Sequence, residues 1–175
     1  MVNQKVDAGM EALFTALATT RDMLWKEIEG LNDTQLNAKP KREKWSIVQN
    51  LHHLDLVEQS VISAIVNGLK KEECKEVPIK PVHLALDRTH KAETPEQMRP
   101  TETLMKEEQI RNLLQNSRTK LLEVLGSTNK QELTEKYSNH PMFGELSLYQ
   151  WVEFLNFHEQ RHLEQIREAK QALHQ

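Results

Sequence analysis

The stretch SLYQWVEFLNFHEQRHLEQI, residues 147–166, carries most of the information about the fold. It opens with Ser147 and Gln150 at the spacing of a capping box, in which each side chain accepts from the other's backbone amide. Apolar residues then recur at steps of three or four, which is typical of an amphipathic α-helix. The pattern predicts a helix that begins at Ser147, continues past Ala169 and buries one side in a core.

Two histidines lie at the centre of that apolar side. At about 100° per residue, His162 is roughly 40° around the helix from His158 and about 6 Å further along its axis. A buried imidazole without a partner costs on the order of 1–3 kcal/mol. A carbonyl or a water could satisfy each ring separately, whereas one divalent cation would satisfy both at once. The pair therefore indicates a metal site.

The same residues spell H-E-x-x-H, the motif in which many zinc peptidases place two ligands and a general base. Such a site needs a third protein ligand, which normally follows the motif. Only thirteen residues follow His162, and the histidine among them, His174, lies in a terminal tail. A peptidase is therefore not expected. For Glu159 the favoured interpretation is an exposed helix residue, with a general base as the alternative.

The third ligand should then lie upstream, where the segment NLHHLDLVEQS offers two histidines. On a helical projection His53 falls with Val57 and Ala64 on the apolar side, whereas His52 falls near the polar side. The spacing therefore favours His53. One ligand from this helix and two from the last would surround an ion with three neutral imidazoles and leave a position for exchangeable water.

Apolar spacing also predicts three earlier helices. They extend from about Gln4 to Glu29, from Ser46 to Asn67, and from about Thr101 to Leu125. Four amphipathic helices cannot bury their apolar sides alone, so the sequence predicts an all-α fold, a four-helix bundle, as a single domain over residues 1–175.

Local signals mark the limits of these helices. Ser46 and Gln49 form a second capping box at the start of the second helix. Glycines that end helices follow the first three of them: Gly30, Gly68 and Gly126.

The connection between the second and third helices, Lys70 to Pro100, contains four prolines and is too long for a tight turn. We expect it to wrap the bundle or cap one end, with a short helical turn from about Val82 to Arg88.

The composition limits the range of functions. The formal net charge is −3, and the interspersed acids and bases form no basic face for nucleic acid. No apolar stretch approaches the roughly 20 residues that span a bilayer. A single cysteine, Cys74, excludes an internal disulfide and suits a reducing compartment. The expectation is a cytoplasmic protein that binds neither nucleic acid nor membrane.

Two stretches taken together, KWSIVQNLHHLDLVEQS and HPMFGELSLYQWVEFLNFHEQRHLEQI, resemble the DinB-like superfamily, which includes metal-dependent hydrolases of the YfiT type. The family pattern has a histidine eight residues after a tryptophan at a helix start, and His-x-x-x-His-x-x-Gln on the last helix. The residues that match it are Trp45, His53, His158, His162 and Gln165.

The resemblance implies helices that run up, down, down and up, with the long connection joining the parallel second and third helices. It implies that His53, His158 and His162 bind a divalent ion, with zinc or nickel expected and iron or manganese as alternatives. It also implies a small-molecule substrate, in some relatives a low-molecular-weight thiol such as bacillithiol or mycothiol, and often a homodimer.

Three residues are weaker candidates for catalysis. Gln165, one turn after His162, is a candidate for holding a bound water or supporting a ligand, and equally for an amide bonded to backbone. Glu58 and Glu159 are candidate general bases.

Two functions of different classes remain open at this point. One is a metal-dependent enzyme that acts on a small molecule by hydrolysis or thiol transfer. The other is a non-catalytic bundle, with or without metal, that serves as a structural or interaction module. A catalytic site keeps a coordination position open, whereas four protein ligands usually close a structural zinc site.

Overall fold

A computed structural model of the chain describes residues 7–89 and 93–173. Four long helices make up the bundle: α1 (Ala8–Ile28), α3 (Ile47–Leu69), α4 (Glu107–Gly126) and α6 (Leu148–Ala172). The smaller elements are two short helices and one antiparallel hairpin: α2 (Asp33–Asn37), α5 (Lys130–Glu135), β1 (Tyr137–His140) and β2 (Gly144–Ser147). Within the described residues, no helix is long and apolar enough to cross a lipid bilayer.

Contacts between helices fix their directions. Near the starts of α6 and α1, the Tyr149 hydroxyl donates to the Gly9 carbonyl. Towards the ends of the same helices, Arg167 pairs with Glu27. Helices α1 and α6 are therefore parallel.

Helices α3 and α4 are also parallel to each other. Gln49, at the start of α3, donates to the Thr101 carbonyl just before α4, and Glu58, midway along α3, accepts from Ser117, midway along α4. Gly68, in the last turn of α3, lies against Leu148 at the start of α6, so these two helices are antiparallel. The bundle thus runs up, down, down and up, with the long connection between α3 and α4. The predicted all-α four-helix bundle is confirmed.

The core consists of two apolar clusters. One lies at the end of the bundle where α6 begins, and it includes Leu17, Val61, Leu121 and Val152. The other lies at the opposite end, and it includes Leu24, Leu51, Leu114 and Leu163. Between them, each long helix places a charged side chain in the interior: Arg21, Glu58, Arg118 and Glu159.

The capping boxes are only partly as predicted. At α3 the Ser46 hydroxyl accepts from the Gln49 amide, and the Gln49 side chain accepts from the Ser46 amide. At α6 the Ser147 hydroxyl accepts from the Gln150 amide, but the Gln150 side chain bonds both backbone groups of Lys80. The second box is thus half formed, because the connection between α3 and α4, called the crossover below, competes for Gln150.

The predicted start of the third helix, about Thr101, is wrong. Helix α4 begins at Glu107. The Asn37 side chain bonds both backbone groups of Met105 and holds the preceding segment in a loop against α2. Leu104, which falls on the predicted apolar stripe, is 76% exposed for the same reason.

Two of the glycines behave differently from each other. Gly30 follows α1 with φ of +79°, a conformation that stops a helix at little cost for glycine. Gly68 instead lies inside α3, which continues to Leu69. A Cβ on Gly68 would come within 2.5 Å of Leu148, so this glycine allows α3 and α6 to approach. The predicted start of the first helix at Gln4 lies outside the described residues.

The crossover contains two 3₁₀ turns, Val82–Leu86 and Glu96–Met98. The first was expected at about this position and packs against α6. The second brings the Met98 carbonyl to α3, where it bonds His53. The crossover thus covers the part of the bundle that carries the histidines.

Candidate metal centre

Three imidazoles from two helices converge inside the bundle. One ring nitrogen from each of His53, His158 and His162 lies within 4.8 Å of the others. The Nε2 atoms of His53 and His158 are 3.4 Å apart. Nitrogens that each lie about 2.0–2.1 Å from a tetrahedral zinc ion are separated by about 3.4 Å. The spacing of these two rings therefore suits a shared ion.

The outward nitrogens of two rings are held by hydrogen bonds. Nδ1 of His53 lies 2.7 Å from the Met98 carbonyl oxygen, and Nδ1 of His162 lies 2.9 Å from Oδ1 of Asn50. Since both partners are acceptors, each Nδ1 carries the proton and donates it. Each Nε2 is then unprotonated, which is the form that binds a metal.

The third ring, of His158, has an unsatisfied nitrogen. Its Nδ1 is buried and has no hydrogen-bond partner in the described part of the chain. A buried polar atom without a partner carries a desolvation cost, which an ion bound at Nε2 would not remove. The residue as a whole is half-buried, whereas His53 and His162 are buried.

The environment keeps the three rings neutral. Burial lowers the pKa of His158 to about 3, helped by nearby His53 and Arg161. Burial also lowers the pKa of His162 well below its ordinary value, and it lowers that of His53. Neutral imidazoles need not lose a proton before they bind a cation. The donor set therefore fits a divalent metal.

His52 has a different role from its neighbour His53. Its Nδ1 accepts from the Thr101 amide at 3.0 Å, so it fixes the loop before α4. The structure places His53 in the cluster and leaves His52 outside it.

Aromatic rings enclose the cluster. The indole of Trp45 has its centroid 5.0 Å from that of His53 and stacks on His162 at 6.1 Å. Phe154 lies 5.5 Å from His158 on the other side. Trp45 also lines an open cleft of about 430 Å³ together with Thr94, Arg99 and Pro100 of the crossover. The indole therefore separates the histidines from this cleft.

The carboxylates proposed as general bases are already paired. Glu58 and Glu159 are 0% and 1% exposed, so the expectation that Glu159 lies on the surface is wrong. Both oxygens of each carboxylate accept from Arg21 or Arg118. Burial raises the pKa of Glu58, but Arg118 and Arg21 outweigh it and hold that pKa below its ordinary value. Neither group is placed to take a proton.

The two arginines are the residues that the sequence analysis missed. Arg21 lies four residues after Leu17 and three before Leu24 in the sequence. Arg118 has the same spacing from Leu114 and Leu121. A charge inside an apolar stripe signals a buried partner, so the pattern was present in the sequence.

Two further polar residues lie near the cluster. Gln165 is half-buried one turn after His162, and its side chain has no hydrogen-bond partner among the described residues. His140, in the hairpin, packs against Phe154, and its Nδ1 accepts from the Met142 amide. Burial lowers the pKa of His140 to about 4. The amide of Gln165 is thus unpaired among the described residues, whereas His140 orders a turn.

Comparison with known proteins gives the family. The model of the DinB superfamily matches residues 16–166. The Bacillus subtilis (strain 168) protein named "Uncharacterized protein YuaE" is 34% identical over 149 residues, which cover 85% of this chain and 91% of that protein. The chain belongs to the DinB superfamily.

Two solved structures share the fold. TT2238, described as a four-helix bundle protein, aligns with a TM-score of 0.64 at 21% identity, over 91% of this chain and 98% of its own. YfiT from Bacillus subtilis aligns with a TM-score of 0.67 at 16% identity, over 99% of this chain and 93% of its own. YfiT is described as a probable metal-dependent hydrolase with an unusual four-helix bundle topology.

Proposed function

We propose that this member of the DinB superfamily is a metal-dependent enzyme that binds one divalent ion through His53, His158 and His162. The observation that supports this most directly is the convergence of three neutral imidazoles from α3 and α6, of which two belong to buried residues and one to a half-buried residue. Two of them are oriented by acceptors behind the ring, as metal-binding histidines usually are.

The donor set supports a catalytic ion more than a structural one. Within the described residues, no other histidine, cysteine, aspartate or glutamate joins the cluster. Three protein ligands leave a coordination position open, which is the arrangement of catalytic zinc. Imidazole ligands suit zinc and nickel as well as copper and iron, and of these we expect zinc or nickel.

A divalent ion held there would supply Lewis-acid chemistry, by lowering the pKa of a water or thiol and by polarising an electrophile. The chain's own residues hold and shield the site. The Met98 carbonyl and Asn50 orient two of the rings, and Trp45 covers them on the side of the cleft. We assign Gln165 to the orientation of the bound water or substrate.

The substrate is a small molecule, and the reaction is hydrolysis or transfer of a thiol. The description of YfiT supports a hydrolase. Neither Glu58 nor Glu159 is retained as a general base, because arginines hold both carboxylates.

The test is metal analysis of protein purified without a histidine tag, followed by activity assays. We expect about one zinc or nickel ion per chain, and turnover when low-molecular-weight thiols and electrophiles, or hydrolysable esters and amides, are screened. Protein that neither retains metal nor binds it on titration would contradict the proposal. Binding of one ion without turnover of any substrate in the screen would favour the non-catalytic alternative.

A further inference from the structure

Four buried charged side chains form a closed ring across the middle of the bundle. Arg21 of α1 donates from Nε to Glu159 of α6 at 2.5 Å and from Nη2 to Glu58 of α3 at 3.0 Å. Arg118 of α4 donates from Nε to Glu58 at 2.6 Å and from Nη2 to Glu159 at 2.7 Å. Each carboxylate is therefore held by both guanidinium groups, and the four charges sum to zero.

Backbone groups complete the ring. Nη1 of Arg21 donates to the Leu114 carbonyl of α4, and Nη1 of Arg118 donates to the Leu17 carbonyl of α1, each at 2.9 Å. The Ser117 hydroxyl adds a bond of 2.8 Å to Glu58. The two helices that provide no histidine are thus joined to each other and to the two helices that do.

The ring lies near the histidines along both α3 and α6. Glu159 directly follows His158 on α6, and Glu58 follows His53 by five residues, or about 7.5 Å along the α3 axis. The ring also separates the two apolar clusters of the core. It is therefore a buried polar layer close in sequence to the histidines of the metal centre.

Apolar contacts, such as that of Gly68 with Leu148, define the alignment of α3 and α6 along their axes less sharply than pairing of buried charges does. Burial of apolar surface is non-directional, so a shift of one helix along the other could bury similar area. Such a shift would leave a charge of the ring buried without its partner, which costs far more than an imperfect apolar contact. The ring consequently favours one alignment of the four helices.

We propose that Arg21 and Arg118 are positioning residues for the metal centre. By bridging Glu58 to Glu159, they set the alignment and spacing of α3 and α6 at which the three histidines meet. The inference rests on the proposed function for its metal readout, and a metal-free readout tests it independently.

The first test compares Arg118→Met with Leu133→Ala. Leu133 is fully buried in α5, at the end of the bundle where α6 begins, so its loss lowers stability without touching the ring. Cobalt(II) is titrated into each variant at a temperature where circular dichroism shows that both are folded. We expect the Kd of Arg118→Met to rise at least about tenfold and its visible absorption bands to change, as for the loss of a residue that supports metal ligands.

The control decides between alignment and general stability. Leu133→Ala should bind cobalt(II) within about twofold of the unmodified protein and show the same absorption bands. The proposal is overturned if Arg118→Met binds cobalt(II) as tightly as the unmodified protein, or if Leu133→Ala is weakened to the same extent.

A second variant covers the case in which Arg118→Met does not fold. Arg118→Lys keeps the charge of the ring, but a single ammonium cannot reproduce the fork that reaches two carboxylates and a carbonyl. We expect it to fold and to bind cobalt(II) more weakly than the unmodified protein. Unchanged affinity and unchanged bands in Arg118→Lys would overturn the proposal.

The metal-free readout uses NMR of the protein treated with chelator. The imidazole centroid of His53 lies 5.1 Å from the centroid of His158 and 4.6 Å from that of His162, so cross-peaks between the protons of these imidazoles are expected. They should be lost or weakened in Arg118→Met or Arg118→Lys and kept in Leu133→Ala. If the unmodified protein binds no metal yet this pattern is seen, the proposed function fails and the positioning role stands. If the arginine variants keep the cross-peaks, the positioning role fails.

Discussion

Among single side chains, Asn50 has the clearest indirect role in the metal centre. Its Oδ1 accepts from Nδ1 of His162, and its Nδ2 donates to the Ser46 carbonyl, which fixes the orientation of the amide. Asn50→Leu removes the acceptor, so the ring of His162 loses its fixed tautomer and orientation. We expect metal affinity to fall by about 10- to 100-fold, measured by competition with a chromophoric chelator.

The control for this prediction is Asn50→Asp. A carboxylate keeps an acceptor at the same place, so its metal affinity should stay much closer to that of the unmodified protein. Equal affinity of Asn50→Leu and the unmodified protein would show that this hydrogen bond does not support the site.

The buried imidazoles should make the metal-free protein sensitive to acid. Burial lowers the pKa of His158 to about 3 and that of His140 to about 4. In the unfolded chain a histidine titrates near about 6.5. Between these values the unfolded chain binds more protons than the folded one. The free energy of unfolding should therefore fall as the pH drops from about 6.5 towards 4, as measured by urea unfolding at stepped pH.

A variant of His140 isolates one contribution to this pH dependence. His140→Asn keeps an acceptor for the amide of the turn but has no proton to gain. Its free energy of unfolding should fall less steeply over the same pH range. A slope equal to that of the unmodified protein would assign the acid sensitivity to other groups.

Which side chains face inward was predictable only where helical periodicity decides the question. His53 and His52 differ by about 100° around α3, and that rotation alone placed one of them towards the core. The burial of Glu159 was not predictable in this way, because it depends on arginines from two other helices. A single sequence gives the faces of a helix but not the distances between helices.

The contact between the last turn of α3 and the start of α6 gives a prediction about helix packing. Gly68→Ala would normally favour a helix by about 0.5–1 kcal/mol. Here the added Cβ would lie 2.5 Å from Leu148, which is fully buried and has little room to move. We expect Gly68→Ala to destabilise the protein by about 1–3 kcal/mol in chemical denaturation.

Gly126, at the end of α4, is the matched control. A Cβ there would meet nothing within 4 Å. Gly126→Ala should therefore be neutral or stabilise the protein by about 0.4–1 kcal/mol. Equal effects of the two substitutions would contradict the close approach of α3 and α6 at Gly68.

The limits of the helices were predictable where the signal is local. Ser46 and Ser147 start their helices as expected, because a cap needs only residues three positions apart. The start of α4 was not, because Asn37 holds the loop before it from another part of the chain. The hairpin was missed as well, since strands of four residues are too short to show a clear alternation.

For the bundle as a whole, metal binding should raise thermal stability. The ion would bind only the folded chain, because the histidines come from α3 and α6. At 100 times its Kd, a ligand of this kind stabilises by about 2.7 kcal/mol. At about 2–4 °C per kcal/mol for a chain of this size, zinc or nickel should raise the Tm by roughly 5–11 °C in calorimetry.

Two controls accompany that measurement. Excess chelator should return the Tm to that of the metal-free protein, and His162→Ala should show no increase with metal. An equal increase in His162→Ala would locate the stabilising ion elsewhere in the chain.

The order of the helices shows what the sequence could and could not supply. Four apolar stripes predicted a bundle, but the same stripes fit several connection orders. The up, down, down and up order followed from the resemblance to the DinB-like superfamily, and contacts such as Glu58 with Ser117 now account for it physically.

The central claim is that three histidines hold one ion and leave a position open. X-ray absorption spectroscopy of zinc-loaded protein tests this most directly, because it counts the ligands and their types. We expect three imidazole nitrogens at about 2.0–2.1 Å and one further oxygen that a thiol or another small ligand replaces. A fourth histidine or a cysteine sulfur in the coordination sphere, or a spectrum unchanged in His53→Ala, would contradict the claim.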